Sequence, residues 1–211
     1  FKAYVLFPFA LAVGVYAYWY RAASRGGIRL RPIVLVIGAG ATIVLLAILG
    51  AVFPRYSVAN VAESIEQNQR SSLSTPGGSD YRASTPEQGP RGPAGMIADA
   101  PFTIMTALLR PFVFESRSAM MLVNSVEMTV ILYFVIIAFV RTGRVVLLRW
   151  AWRSPDIMAS LAFVLLFSFA VGLATTNLGT LSRYRLPLMP FYIYVVASAQ
   201  ALPATRRDAR Q

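Results

Sequence analysis

The residues best suited to chemistry lie in three short stretches. The first is Thr175-Thr-Asn177-Leu-Gly-Thr-Leu-Ser-Arg183-Tyr184-Arg185-Leu-Pro187, where two arginines flank a tyrosine. A guanidinium is a planar fork of donors that grips oxyanions, so two of them near a membrane surface suit a phosphate or pyrophosphate. The plain alternatives are snorkelling to lipid headgroups and pairing with Glu115 or Glu127. The second stretch, Arg110-Pro-Phe-Val-Phe-Glu115-Ser-Arg117, holds an acid between two cations and two aromatic rings. The rings fit an interfacial belt or stack on sugars; Glu115 aligns hydroxyls or neutralises Arg117. The third is Glu127, alone in an apolar run. A carboxylate there costs about 2.5–3.5 kcal/mol on insertion scales, so it is expected to face protein or water. Its readings are an ion pair, a general base or substrate ligand, and a protonated idle side chain. Asn124 lies at i−3 on the same helical face.

What is absent narrows the chemistry further. The chain has no Cys and no His. That removes thiol nucleophiles, Cys/His zinc sites, haem ligation by His and every His-dependent triad. There is no Gly-rich phosphate loop ending in Lys, no Gly-x-Ser-x-Gly elbow and no paired-Asp loop. No metal site and no cofactor are expected. Glu115 and Glu127 are then the carboxylates placed for catalysis. Arg183, Arg185, Tyr184, Arg110 and Asn177 form the candidate binding set.

The surrounding elements are apolar. Of 211 residues, 56% are hydrophobic and 14% charged, against roughly 45–50% and 25% in soluble domains. The composition predicts an all-α integral membrane protein. Five stretches, 3–20, 32–53, 119–140, 157–175 and 186–202, have the lengths of about five transmembrane helices, since about 20 residues cross 30 Å of hydrocarbon. Their order gives two spans within 1–53, an outer segment over 54–118, three spans within 119–202, and a basic tail over 203–211. The chain opens on Phe1 without a basic n-region or small-residue cleavage site, so no signal peptide is expected, and a longer N-terminal part is left open.

Charge orients these spans. Arg21, Arg25, Arg29 and Arg31 have no acid among them; Arg141, Arg144, Arg149 and Arg153 face only Asp156; Arg206, Arg207 and Arg210 face only Asp208. Five spans put all three clusters on one side, and basic short loops mark the cytoplasm. Phe1 is therefore expected outside and the C-terminus inside. The net charge of +11 needs no nucleic acid as partner; attraction to anionic lipid follows from it.

Within the outer segment, Tyr56–Gln69 is helix-compatible, with Val58, Val61 and Ile65 on one face. Residues 71–95 are Ser/Thr/Pro/Gly-rich, with little to bury, and are expected to be flexible, as an open loop or as a lid. Residues 98–109 carry an apolar stripe of Phe102, Ile104, Met105, Leu108 and Leu109. They predict an interfacial or re-entrant helix that stops at Arg110-Pro111, because a residue before proline is pushed out of the helical region.

Asn177-Leu-Gly-Thr180, then Ser182-Arg-Tyr-Arg-Leu-Pro187, then Pro190-Phe191, resembles a C-terminal stretch of bacterial multi-spanning membrane proteins from exported-polysaccharide (O-antigen and exopolysaccharide) clusters. Similar Arg-Tyr-Arg-x-Pro turns occur in integral-membrane glycosyltransferases that use lipid-linked sugars. Leu108-Leu-Arg-Pro-Phe-Val-Phe-Glu115 is similar to a second signature of the same polysaccharide proteins, and Gly77-Gly-Ser-Asp80 lies where their Ser/Gly-rich loop would be. The order of the features matches over about residues 55–195. The resemblance implies a component of cell-surface glycan assembly or export in the bacterial inner membrane. It would handle polyprenyl-phosphate-linked sugars at the outer face, with Arg183 and Arg185 toward phosphate. Such transferases carry catalytic carboxylates in an early outer loop, and no such pair is visible here. The polymerases have about ten or more spans. The resemblance then implies the C-terminal part of a transferase or polymerase, its catalytic half missing from this sequence, or an accessory without activity of its own. The alternative is a non-enzymatic subunit that packs against and stabilises a partner membrane protein.

Overall fold

The protein is described here by a computed structural model covering residues 3–24, 95, 98–116, 118–175 and 178–203. The expected second span at 32–53, the helix-compatible stretch 56–69, the stretch 71–94 expected to be flexible and the 203–211 tail beyond its first residue lie outside the described residues. Among the described residues, every regular element is helical. We number the helices α1 (Ala3–Ser24), α2 (Ala100–Leu109), α3 (Ala119–Thr142), α4 (Arg144–Arg153), α5 (Pro155–Ala174), α6 (Leu178–Tyr184) and α7 (Met189–Gln200), with 3-10 turns at Val113–Glu115 and Leu186–Leu188. Of these, α3 and α5 are long and apolar enough to cross a membrane. α1 is 22 residues long.

Local chemistry sets the boundaries. Ser118 caps α3, its hydroxyl accepting from the Met121 N–H at 3.3 Å, which satisfies a donor that the first turn leaves free. At the other end Gly143 takes φ +80°, a conformation that costs a residue with a Cβ. This one residue closes α3 and opens α4. Pro155 occupies the first turn of α5, with Asp156 beside it; proline loses nothing there, and the acid suits the positive end of the helix dipole.

α5 is the central helix. α1 runs antiparallel along it, Phe9 meeting Phe163 edge-on at 6.2 Å and Trp19 meeting Trp152 at 5.2 Å. Phe163, Val164, Phe167 and Val171 form the core with Met128 and Ile131 of α3, Leu181 of α6 and Tyr192 of α7. The short α4 connection makes α3 and α5 antiparallel. The start of α3 and the end of α5 therefore share one end of the bundle, and α4 lies at the other.

Two elements differ from expectation. The predicted stripe of α2 is only partly its packed face: Leu108 packs against the core, but Phe102 and Met105 are exposed, while Thr103, Thr106 and Ala107 are buried. Small residues let backbones approach, and Gly172 of α5 completes the contact. A Cβ built there would lie 2.5 Å from Thr103 Cγ2 and 2.7 Å from the Thr103 carbonyl oxygen. Small-against-small packing of this kind is what helices use where apolar burial gives little driving force.

The second difference is the stretch read as a polar loop before a span at 186–202. It is helical from Leu178 onward. Leu178, Leu181 and Ser182 form its buried face, and the Ser182 hydroxyl donates to the Leu178 carbonyl at 2.9 Å, so the polar side chain is satisfied within its own helix. Helical backbone continues from 178 to 200, broken once by the Leu186–Leu188 3-10 turn. This run is roughly 34 Å long at 1.5 Å per residue.

Candidate functional site

The site is built at the break in that run. Arg185 follows the last residue of α6, two positions before Pro187, and its side chain is turned into the bundle with 2% of its surface exposed. Its Nη1 donates to the carbonyl oxygen of Arg110. Its Nη2 is buried without a hydrogen-bond partner. Glu127 and the buried Tyr192 are the groups in electrostatic reach of the guanidinium. A buried cation with an unsatisfied donor is costly, about 1–3 kcal/mol for the donor alone. Such a group is an open valence for an anion or a carbonyl.

The Arg110 carbonyl is presented by a stiff strap. α2 stops where proline requires: Arg110 is extended (φ −95°, ψ 155°), and the Arg110–Pro111 peptide is cis. The Arg110 guanidinium folds back on Glu115. Its Nε donates to Oε1 at 2.9 Å and to Oε2 at 3.1 Å, and its Nη2 donates to Oε1 as well. The Glu115 carboxylate also accepts from the Phe112 N–H at 2.9 Å. Burial pushes the Glu115 carboxyl up, but the Arg110 hydrogen bonds, the Phe112 N–H and the Arg110 charge outweigh it and hold the group below the ordinary carboxylate range. Ser116 then ties the strap to α3, its hydroxyl 2.8 Å from that of the fully buried Ser125. Phe112 and Phe114 stack at 5.3 Å, Phe114 being 84% exposed.

The candidate residues separate accordingly. Arg110, Glu115 and Arg185 are brought together through the strap. Arg183 is exposed and Tyr184 half-buried, while Asn177 and Arg117 lie outside the described residues. Glu115 pairs with Arg110 across five positions, where the sequence offered Arg117 as the cation to be neutralised. Glu127 is exposed on α3 and has neither hydrogen bond nor ion pair among the described residues. The enclosure expected for an intramembrane carboxylate is therefore not supplied by the described residues. Asn124 does not join it; its Nδ2 donates to the Met120 carbonyl one turn back at 3.2 Å.

Sequence reasoning treated Arg183 and Arg185 as equivalent. On a helix, residues two apart point roughly 200° apart, so a helical reading of Leu178–Tyr184 carried on to Arg185 would have shown that only one of them can enter the bundle. The two main-chain partners, the Arg110 carbonyl and the Phe112 N–H, have no side-chain signature and were missed. Comparison with protein-family models, with characterised proteins and with solved structures gave no match, so the reading of this site rests on its own geometry.

Proposed function

We propose that the protein is a five-span component of cell-surface glycan assembly or export in a bacterial inner membrane, holding a polyprenyl-phosphate-linked sugar at its outer face. The observation that carries this reading is the buried Arg185 guanidinium, with one nitrogen held by a carbonyl and the other unsatisfied. A phosphate oxygen accepts a charge-assisted hydrogen bond, which offsets burial of a full positive charge better than a neutral acceptor does. Breaks in spanning helices are tolerated where they line a site, and the 186–188 turn is such a break. Glu115, saturated by Arg110 and held below the ordinary carboxylate range, acts as a clamp for the strap. Glu127, unbonded and in reach of Arg185, is the carboxylate left for proton transfer if the bound sugar is transferred. The exposed Phe114 ring is placed to lie against a sugar face.

The test uses undecaprenyl phosphate as probe. The purified chain in detergent retains it, and Arg185→Met loses about ten- to a hundredfold in affinity, the worth of one charge-assisted hydrogen bond. Cells carrying that variant, stably inserted, lose surface glycan. Normal glycan with unchanged lipid retention would overturn the assignment.

A second reading, a non-enzymatic subunit packed against another membrane protein, is favoured by Glu127. It is a carboxylate open to the surroundings of a helix of membrane-crossing length, where an unpaired charge is expensive. A helix offering a cation or donor would cover it. Under this reading Glu127→Gln loses a co-purifying partner while undecaprenyl phosphate retention is unchanged.

A further inference from the structure

The opposite end of the bundle carries its own unexplained chemistry. α4 has a narrow buried face, Leu147 and Ala151 with half-buried Trp150 beside them, packed on Ala138 of α3 and on Ala199 and Leu202. Of its remaining surface, exposed Val146 lies apart, beside Arg153. Val145, Leu148 and Trp152 are exposed apolar residues at i, i+3 and i+7, a continuous strip on a 3.6-residue helix. Arg144 flanks the strip on one side, and Arg149 and Arg153 flank it on the other, all three exposed. Exposed Arg141 adds a fourth cation where α3 ends. These four have neither hydrogen bond nor ion pair among the described residues. Asp156, the acid of this segment, accepts instead from the Tyr194 hydroxyl.

All three tryptophans of the chain, Trp19, Trp150 and Trp152, gather at this end. Trp19 packs edge-on against the Trp152 ring, and its indole N–H donates to the Trp152 carbonyl at 2.9 Å. That bond fixes α4 to α1 at one level along the bundle. An apolar strip edged by arginines and anchored at a tryptophan level is the pattern of a helix lying in a membrane interface.

We propose that α4 lies in the headgroup layer of the cytoplasmic leaflet and binds anionic phospholipid. Val145, Leu148 and Trp152 enter the acyl-chain boundary, while Arg144, Arg149 and Arg153 reach up to lipid phosphates on both sides. Charge selects the occupant: four uncompensated cations around an apolar strip match a surface that is negative above and apolar below. An acidic protein segment would leave the strip unserved. The inference shares with the proposed function only the assignment of α3 and α5 as spans, and nothing of the Arg185 site.

The test uses the full chain in nanodiscs of phosphatidylcholine, with and without phosphatidylglycerol. Native mass spectrometry of the retained lipids is expected to show phosphatidylglycerol over phosphatidylcholine. That preference should fall about fivefold for each of Arg149→Gln and Arg153→Gln, and fall in the wild type as salt rises. In parallel, phosphatidylglycerol brominated near the headgroup should quench a fluorescence component that disappears in Trp152→Phe. Equal retention of the two lipids, or a preference that survives both substitutions, overturns the proposal. So does a Trp152 component untouched by brominated lipid, which would mean that a protein covers the strip. Undecaprenyl phosphate retention is scored on the same samples, so failure at this end and failure at Arg185 are read separately.

Discussion

Replacing Arg185 by methionine separates a functional cation from a structural one. The substitution keeps most of the side-chain length and removes the charge. It loses the Nη1 bond to the Arg110 carbonyl, a charge-assisted bond worth about 1.5–3 kcal/mol. It also removes the buried Nη2 that has no partner, whose desolvation costs about 1–3 kcal/mol. These terms oppose each other at similar size, and release of the buried charge adds to the favourable side. The carbonyl left behind belongs to a half-buried residue. The expected net change is about 1 kcal/mol or less, of either sign. Thermal or denaturant unfolding in detergent measures it, alongside undecaprenyl phosphate retention. Stability near wild type with retention lost is the signature of a residue kept for its ligand at a cost in stability. A loss of about 3 kcal/mol or more would refute the reasoning, because it would make Arg185 the latch that holds the strap to the bundle.

Two further outcomes follow from the packing and from the strap. Gly172→Ala places a methyl carbon 2.7 Å from the Thr103 carbonyl oxygen; backbone cannot yield as a side-chain tip can, so a loss of about 1–3 kcal/mol is expected, with Thr103→Ser not restoring it because the carbonyl remains. Unfolding of the single and double variants in detergent checks both. Because the folded carboxyl of Glu115 is held below its ordinary value of 4.5, its clamp contributes fully above that pH and is lost as pH falls through the lower folded value. Hydrogen exchange at the Phe112 amide should therefore accelerate in acid beyond its intrinsic rate, and Glu115→Gln should show the faster exchange already at neutral pH.

Composition, run length and one proline determined the helical class, the placement of α3 and α5, and the end of α2 at Arg110-Pro111. Each depends on local facts: the residues needed to cross an apolar layer and the backbone limits before proline. The clustering of arginine in 141–156 was equally legible, because charge in a short connection needs no partner to be counted. What the sequence could not decide is which face each helix buries. Apolar patterning failed at α2, where Thr103, Thr106 and Ala107 pack and Phe102 and Met105 do not. At this contact size and close approach choose the packed face, and hydrophobicity does not discriminate. It failed again at 178–184, where the Ser182 hydroxyl and the Thr/Ser-rich composition suggested a loop that the helix's own carbonyls make unnecessary. The distinction between Arg183 and Arg185 belongs wholly to tertiary structure: one guanidinium meets the surroundings and the other meets a carbonyl 75 positions away. A pairing at that separation carries no local signal. It exists only once α2, the strap and α6 are packed around the same end of α5.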